Sequence, residues 1–181
     1  MILASRNGHK REELQAALPE WTVELLDADG YPPETGRTYR DNARAKARFG
    51  HGLAPSQWVL GEDSGIEVAA LGGRPGVHSA RWAADPVAAL LAELDGVADR
   101  RARYVCELVA ISPAGEELAA QGTLEGAIAL EPRGSEGFGY DPIFVPAGER
   151  RTVAELGDAW KRAHSHRARA AAALRAALAA S

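Results

Sequence analysis

The chain opens on an apolar run, Met1-Ile2-Leu3-Ala4, that breaks off at the polar segment Ser5-Arg6-Asn7-Gly8. That change predicts a short strand and then a turn. Leu14, Ala17 and Leu18 recur at helical spacing, and Pro19 ends the helix because proline cannot continue the backbone ladder. Residues 21–26 alternate as a strand does, whereas 27–36 are rich in turn formers. Thr38 stands where it can cap a second helix, running to roughly Phe49 with Ala43 and Ala47 along it.

Further along, Trp58-Val59-Leu60 and Ile66-Glu67-Val68 read as two strands flanking a turn, Gly61-Glu62-Asp63-Ser64-Gly65. After a loop at 71–77, Pro86 falls in the first turn of a helix over 87–94. Residues 103–111 and 118–130 are longer strand regions, and a second glycine-rich loop covers 134–146. The chain closes on a helix for which Ser165 is a cap. Helices and strands alternate early, strands cluster in the middle, and neither a repeat nor a linker interrupts them. The expectation is one α/β domain over residues 1–181, with helices flanking a mixed sheet and two lobes enclosing a cleft.

Composition narrows the class. With 46% hydrophobic and 25% charged residues among 181, the chain can fill a core, so wholesale disorder is a poor reading. A net charge of −4 gives no electrostatic footprint for polymeric nucleic acid, although a small polyphosphate needs only local cations. Cys106 is alone, which leaves no internal disulfide, and its apolar neighbours mark it as a buried strand residue. No apolar run nears the ~20 residues of a membrane span, and the start has no basic-then-apolar leader pattern. The Ala-rich stretch 168–180 is broken by Arg169 and Arg175. The cytoplasm is the expected location, with no membrane partner.

Four constellations carry chemistry. Ser5, Arg6, Asn7, Gly8, His9 and Lys10 form a strand–turn–helix start, where backbone N–H groups, the positive helix end and a lysine can meet phosphate. An Asn-Gly turn with a solvated lysine is the plainer alternative, and the P-loop pattern is absent. Glu34 and the Glu62-Asp63 pair offer the hard oxygens that Mg²⁺ takes alongside phosphates and waters, and a base for an attacking water. Asp63-Ser64-Gly65 equally describes a hairpin turn. Phe138, Gly139, Tyr140 and Asp141 interleave aromatics with glycine, which suits a planar base, or merely plugs a loop. Lys161 with Ser165-His166-Arg167 is a basic cluster that meets phosphate or base, or faces solvent.

Taken together the motifs are far less ambiguous. Ser5-x-Asn7-x-x-Lys10, Glu34-Thr35-Gly36, residues 41–47, 62–68, 71–77, Gly137 to Phe144 and Ser165-His166-Arg167 stand in an order that resembles the inosine triphosphate pyrophosphatase family from Leu3 to Arg167. The resemblance implies an elongated mixed α/β fold, a Mg²⁺-dependent homodimer, and conversion of a nucleoside triphosphate to monophosphate and pyrophosphate. It implies Ser5 to Lys10 on the triphosphate, Asp63 as proton acceptor and metal ligand, and Glu34 as second metal carboxylate, with Glu62 the other contender for that place. It implies Ser64 on substrate, and Phe138, Gly139, Tyr140, Asp141, Lys161, His166 and Arg167 around the base. Three departures stand out: Ser5-Arg6-Asn7 for the commoner Thr-Gly-Asn, Pro33 where some members carry a second acid, and Glu62 for aspartate.

Base chemistry gives the expected selectivity. Hypoxanthine presents a carbonyl and a ring N–H where adenine presents an amino group and a bare nitrogen. An acceptor such as Asp141 with a donor from His166 or Arg167 would mispair with ATP twice, worth ~10²–10⁴-fold in discrimination. Two rival readings are a pyrophosphatase for modified pyrimidine or standard nucleotides, and a nucleotide-binding module without catalysis.

Overall fold

The computed structural model describes residues 1–180. Strand β1 (Ile2–Leu3) runs parallel to both β2 (Glu24–Leu25) and β3 (Val59–Val68). The sheet continues through β4 (Arg101–Ile111), β5 (Glu117–Ile128) and β6 (Phe144–Pro146), in the order β2-β1-β3-β4-β5-β6. β6 pairs antiparallel with β5. Helices α1 (Gly8–Ala17), α2 (Tyr39–Leu53), α3 (Pro86–Glu93), α4 (Val153–His164) and α5 (His166–Ala179) complete the mixed α/β arrangement that the pattern predicts.

Local chemistry sets the helix ends. Thr38 and Asp41 form a reciprocal capping box that starts α2, and Asp85 caps α3 with Pro86 in its first turn. Thr152 and Glu155 make a second capping box at α4, a helix not foreseen from the pattern. Gly157 breaks α4 internally with φ 85°, a conformation open to glycine at no steric cost.

The chain divides into two compact units, each assembled from separated segments. Residues 1–63, 106–122 and those from 166 onward form the first, around Leu3, Leu14, Leu18, Leu60, Leu108 and Leu174. Residues 64–105 and 123–165 form the second, around Ile66, Leu90, Leu94, Tyr104 and Phe144. Among the described residues no helix is long and apolar enough to cross a membrane.

One expectation is corrected. Residues 61–65 are not a turn between two strands; β3 runs unbroken from Val59 to Val68. A hairpin turn needs Asp63 to bond its own backbone, but its carboxylate is held by Asn42 and Lys46 of α2. Gly61 makes the approach of that helix possible. A Cβ there would collide with the Ala43 carbonyl and the Ala47 amide nitrogen. Ala43 and Ala47 in turn bury themselves against Val109 and Ile111.

Candidate active site

Side chains alternate across a strand, so the adjacent acids Glu62 and Asp63 turn to opposite faces of β3. Both are buried. Glu62 meets α1 and α5: Lys10 Nζ lies 2.6 Å from its Oε2, and the Arg167 Nη2 donates to its Oε1 at 2.9 Å. Arg167 also donates to Glu13 Oε2 at 2.7 Å, and the Cys106 thiol lies 3.6 Å from Glu62 Oε1. Burial opposes ionisation of Glu62, but Lys10, Arg167 and Lys46 together hold its carboxyl well below the usual range. Burial and the neighbouring Glu62 charge push the Cys106 thiol up.

Asp63 meets α2. Asn42 Nδ2 donates to its Oδ2 at 2.9 Å, and Lys46 Nζ donates to its Oδ1 at 3.1 Å. Lys46 is also paired with Glu34 and donates to the Glu62 carbonyl at 2.9 Å. Burial lifts the Asp63 carboxyl above its ordinary value despite Lys46 and Asn42, with Glu62 and Glu34 adding repulsion. The Lys46 ammonium, disfavoured by burial, is nonetheless held charged more firmly than usual by Asp63, Glu62 and Glu34. One ammonium therefore draws Glu34 and Asp63 together, leaving the trio a net negative charge.

That donor set suits a hard divalent cation, because two carboxylates already converge on one positive group. No group of three or more His, Cys, Asp or Glu side chains among the described residues is gathered to enclose a metal. A cation held here would complete its shell with substrate oxygens and water, the habit of Mg²⁺. Glu34 rather than Glu62 shares the Asp63 face, since Glu62 is turned to Lys10 and Arg167.

The N-terminal motif is built as a helix start. The Asn7 side chain accepts from the Lys10 N–H at 3.2 Å, and the Asn7 N–H donates to Ser5 Oγ at 3.1 Å. Gly8 and His9 begin α1, whose first-turn N–H groups lack intrahelical acceptors. Arg6 turns aside to donate to the Ala28 and Asp29 carbonyls and covers the Tyr31 ring.

In the second unit, Asp141 gathers three donors. Lys161 Nζ donates to its Oδ2 at 2.6 Å, the Phe138 N–H to the same oxygen at 2.8 Å, and the Tyr104 hydroxyl to Oδ1 at 3.1 Å. Lys161 also sits 3.9 Å over the Phe138 ring. Gly137 and Gly139 take positive φ, and a Cβ on Gly137 would strike the Asp141 carboxylate. The Tyr140 hydroxyl donates to the Ser79 carbonyl at 3.0 Å, and burial pushes its pKa up to about 12.

Lys161, His166 and Arg167, a cluster that sequence also allowed to face solvent, are all buried. Lys161 closes α4 while His166 and Arg167 open α5, with Ser165 in extended backbone at the junction. The Arg167 guanidinium is committed to Glu13 and Glu62. Ser64 follows Asp63 on β3. Sequence reasoning assigned no role to Glu13, Asn42, Lys46 or Tyr104. Asn42 and Lys46 were signalled by their one-turn spacing on a foreseeable helix and by their place in the 41–47 motif, whereas nothing marked Glu13 or Tyr104.

Fold and site together define a class: a mixed α/β protein whose buried carboxylates are matched by lysine and arginine side chains. The chain belongs to the Ham1 family, whose sequence profile matches residues 1–177. A dITP/XTP pyrophosphatase of Symbiobacterium thermophilum is 47% identical over 181 residues, covering 95% of this chain and 91% of that one. One from Mycobacterium tuberculosis is 47% identical over 193 residues, covering 96% and 92%. Among solved structures, the Staphylococcus aureus Ham1 protein superposes with a TM-score of 0.87 at 36% identity, covering 99% of this chain and 97% of that one. The family resemblance read from the motifs is borne out.

Proposed function

We propose that this protein hydrolyses non-standard purine nucleoside triphosphates, dITP, ITP and XTP, to the monophosphate and pyrophosphate, and so removes them from the nucleotide pool. The observation that carries the reading is the pairing of buried Asp63, in the middle of β3, with half-buried Glu34 on one ammonium, that of Lys46. The names borne by relatives of 47% identity support the substrate class.

In this reading a water attacks the α-phosphorus, the bond to the α–β bridging oxygen breaks, and pyrophosphate departs. Asp63 accepts the water's proton, which its raised pKa favours. Ser5 to Lys10 hold the triphosphate at the α1 N-terminus, Arg6 through its backbone because its guanidinium is engaged. Lys10 shares Glu62 with Arg167, so Lys10 can turn to a phosphate while Arg167 still balances the buried carboxylate. Mg²⁺ held through Asp63 and Glu34 would screen the phosphate charge and acidify the attacking water. Ser64 contacts substrate. Phe138, Gly139, Tyr140, Asp141, Lys161, His166 and Arg167 take the base end, Arg167 through its backbone because its guanidinium is engaged.

Hydrolysis in heavy-oxygen water tests the chemistry: label in the monophosphate fits attack at the α-phosphorus, and label in pyrophosphate contradicts it. We further place the protein in the cytoplasm, the default for such a sequence pattern, and, following the family resemblance, as a homodimer. Light scattering should return twice 19.2 kDa, and a mass of 19.2 kDa would remove the dimer from the account.

A further inference from the structure

Asn42 is 2% exposed and sits one helical turn before Lys46 on α2. Its two ends meet different partners. The Gly36 N–H donates to Asn42 Oδ1 at 2.8 Å, while Asn42 Nδ2 donates to Asp63 Oδ2 at 2.9 Å. The amide's orientation is chemically fixed: a backbone N–H can only donate, so the oxygen must face Gly36 and the NH₂ must face the carboxylate. A Cβ on Gly36 would collide with Asn42 Oδ1, so glycine is what lets the segment lie this close. Glu34 stands two residues before Gly36 and is paired with Lys46, which holds the other Asp63 oxygen. Asn42 and Lys46 thus close a ring that joins Asp63, the Gly36 backbone and Glu34. The ring has a firm base, because α2 is started by the Thr38 capping box and seated against Gly61.

We infer that Asn42 is a positioning residue for the reaction proposed above, on which this inference rests. Its amide ties the Glu34 segment to Asp63, so that both carboxylates present oxygens to one place. By occupying Asp63 Oδ2 it also fixes the plane of that carboxylate and leaves the Lys46 side to the chemistry. Lys46 alone cannot do this, since an ammonium on a flexible stem fixes no plane.

Two near-isosteric variants separate the contacts. Asn42→Asp keeps an acceptor for Gly36 but sets a carboxylate against Asp63; Asn42→Leu keeps neither contact. Both are read by kcat and KM for dITP, and by hydrogen exchange at the Gly36 amide measured by NMR without nucleotide or metal. The expected result is a kcat loss of about 10²-fold in each folded variant with KM nearly unchanged. Gly36 exchange should stay slow in Asn42→Asp and become fast in Asn42→Leu. Near wild-type kcat in a folded variant overturns the inference, as does slow Gly36 exchange in Asn42→Leu. If Asn42→Leu fails to fold, kcat of Asn42→Asp decides. If the wild-type protein releases no pyrophosphate from dITP, the proposed function fails, and Gly36 exchange alone decides whether Asn42 bridges.

Discussion

Two neighbouring acids, Glu62 and Asp63, share burial and differ in almost everything else. Glu62 faces two cations and stays ionised; Asp63 faces one shared cation and is drawn toward protonation. Replacing Asp63 by Asn keeps its shape and removes the proton acceptor, so kcat should fall by about 10²–10⁴-fold in a protein of unchanged circular dichroism. Replacing Glu62 by Gln leaves Lys10 and Arg167 with an uncompensated buried charge, which should cost about 3–5 kcal/mol at neutral pH. Its pH dependence follows from the direction of the shift. The Glu62 carboxyl is lowered in the folded protein, so its stabilisation is complete above the ordinary value of 4.5 and drains away as pH falls below it. Urea unfolding of wild type and Glu62→Gln should therefore converge on acidification; a constant gap from pH 7 into acid would contradict this. Asp63, Glu34 and Lys10 were legible in the sequence because acids and a lysine in polar segments suggest chemistry by themselves. Glu13 and Asn42 were not, because their meaning lies in partners far along the chain: Glu13 faces Arg167, and Asn42 faces Asp63.

At the scale of elements, three helix signals were local and were read, whereas the equally local Thr152 capping box of α4 was missed. Pro19 ends α1, Thr38 caps α2 and Pro86 opens α3, each by chemistry within a few residues. β3 was misread for the opposite reason. Gly61-Glu62-Asp63-Ser64-Gly65 has the composition of a turn, and only the cations waiting on α1, α2 and α5 let such residues run buried through a strand. Gly61 exposes the constraint most directly. Gly61→Ala would drive a methyl into the α2 backbone, where no side chain can swing away, and overpacking of this kind costs about 1–3 kcal/mol. Gly8→Ala meets nothing within 4 Å and should leave stability near wild type. Denaturant midpoints for the two variants check the contrast, and equal midpoints would mean that α2 does not rest on β3 as described.

The whole molecule joins local devices into two compact units whose segments interleave along the chain. The carboxylate chemistry gathers in the first unit and the aromatic loop of Phe138 and Asp141 in the second. Sequence pattern reached the mixed sheet and its flanking helices, because alternation and helical spacing report which faces are apolar. It could not supply strand order, since β1 is inserted between β2 and β3 and nothing local marks that. The central claim is that these parts make a pyrophosphatase for non-standard purine nucleotides. Its most direct test is pyrophosphate release from dITP, XTP, ATP, GTP and dUTP, with Mg²⁺ and with EDTA. The account predicts rapid, EDTA-sensitive release from dITP and XTP and little from the other three; equal release from all five, or none from dITP and XTP, would contradict it.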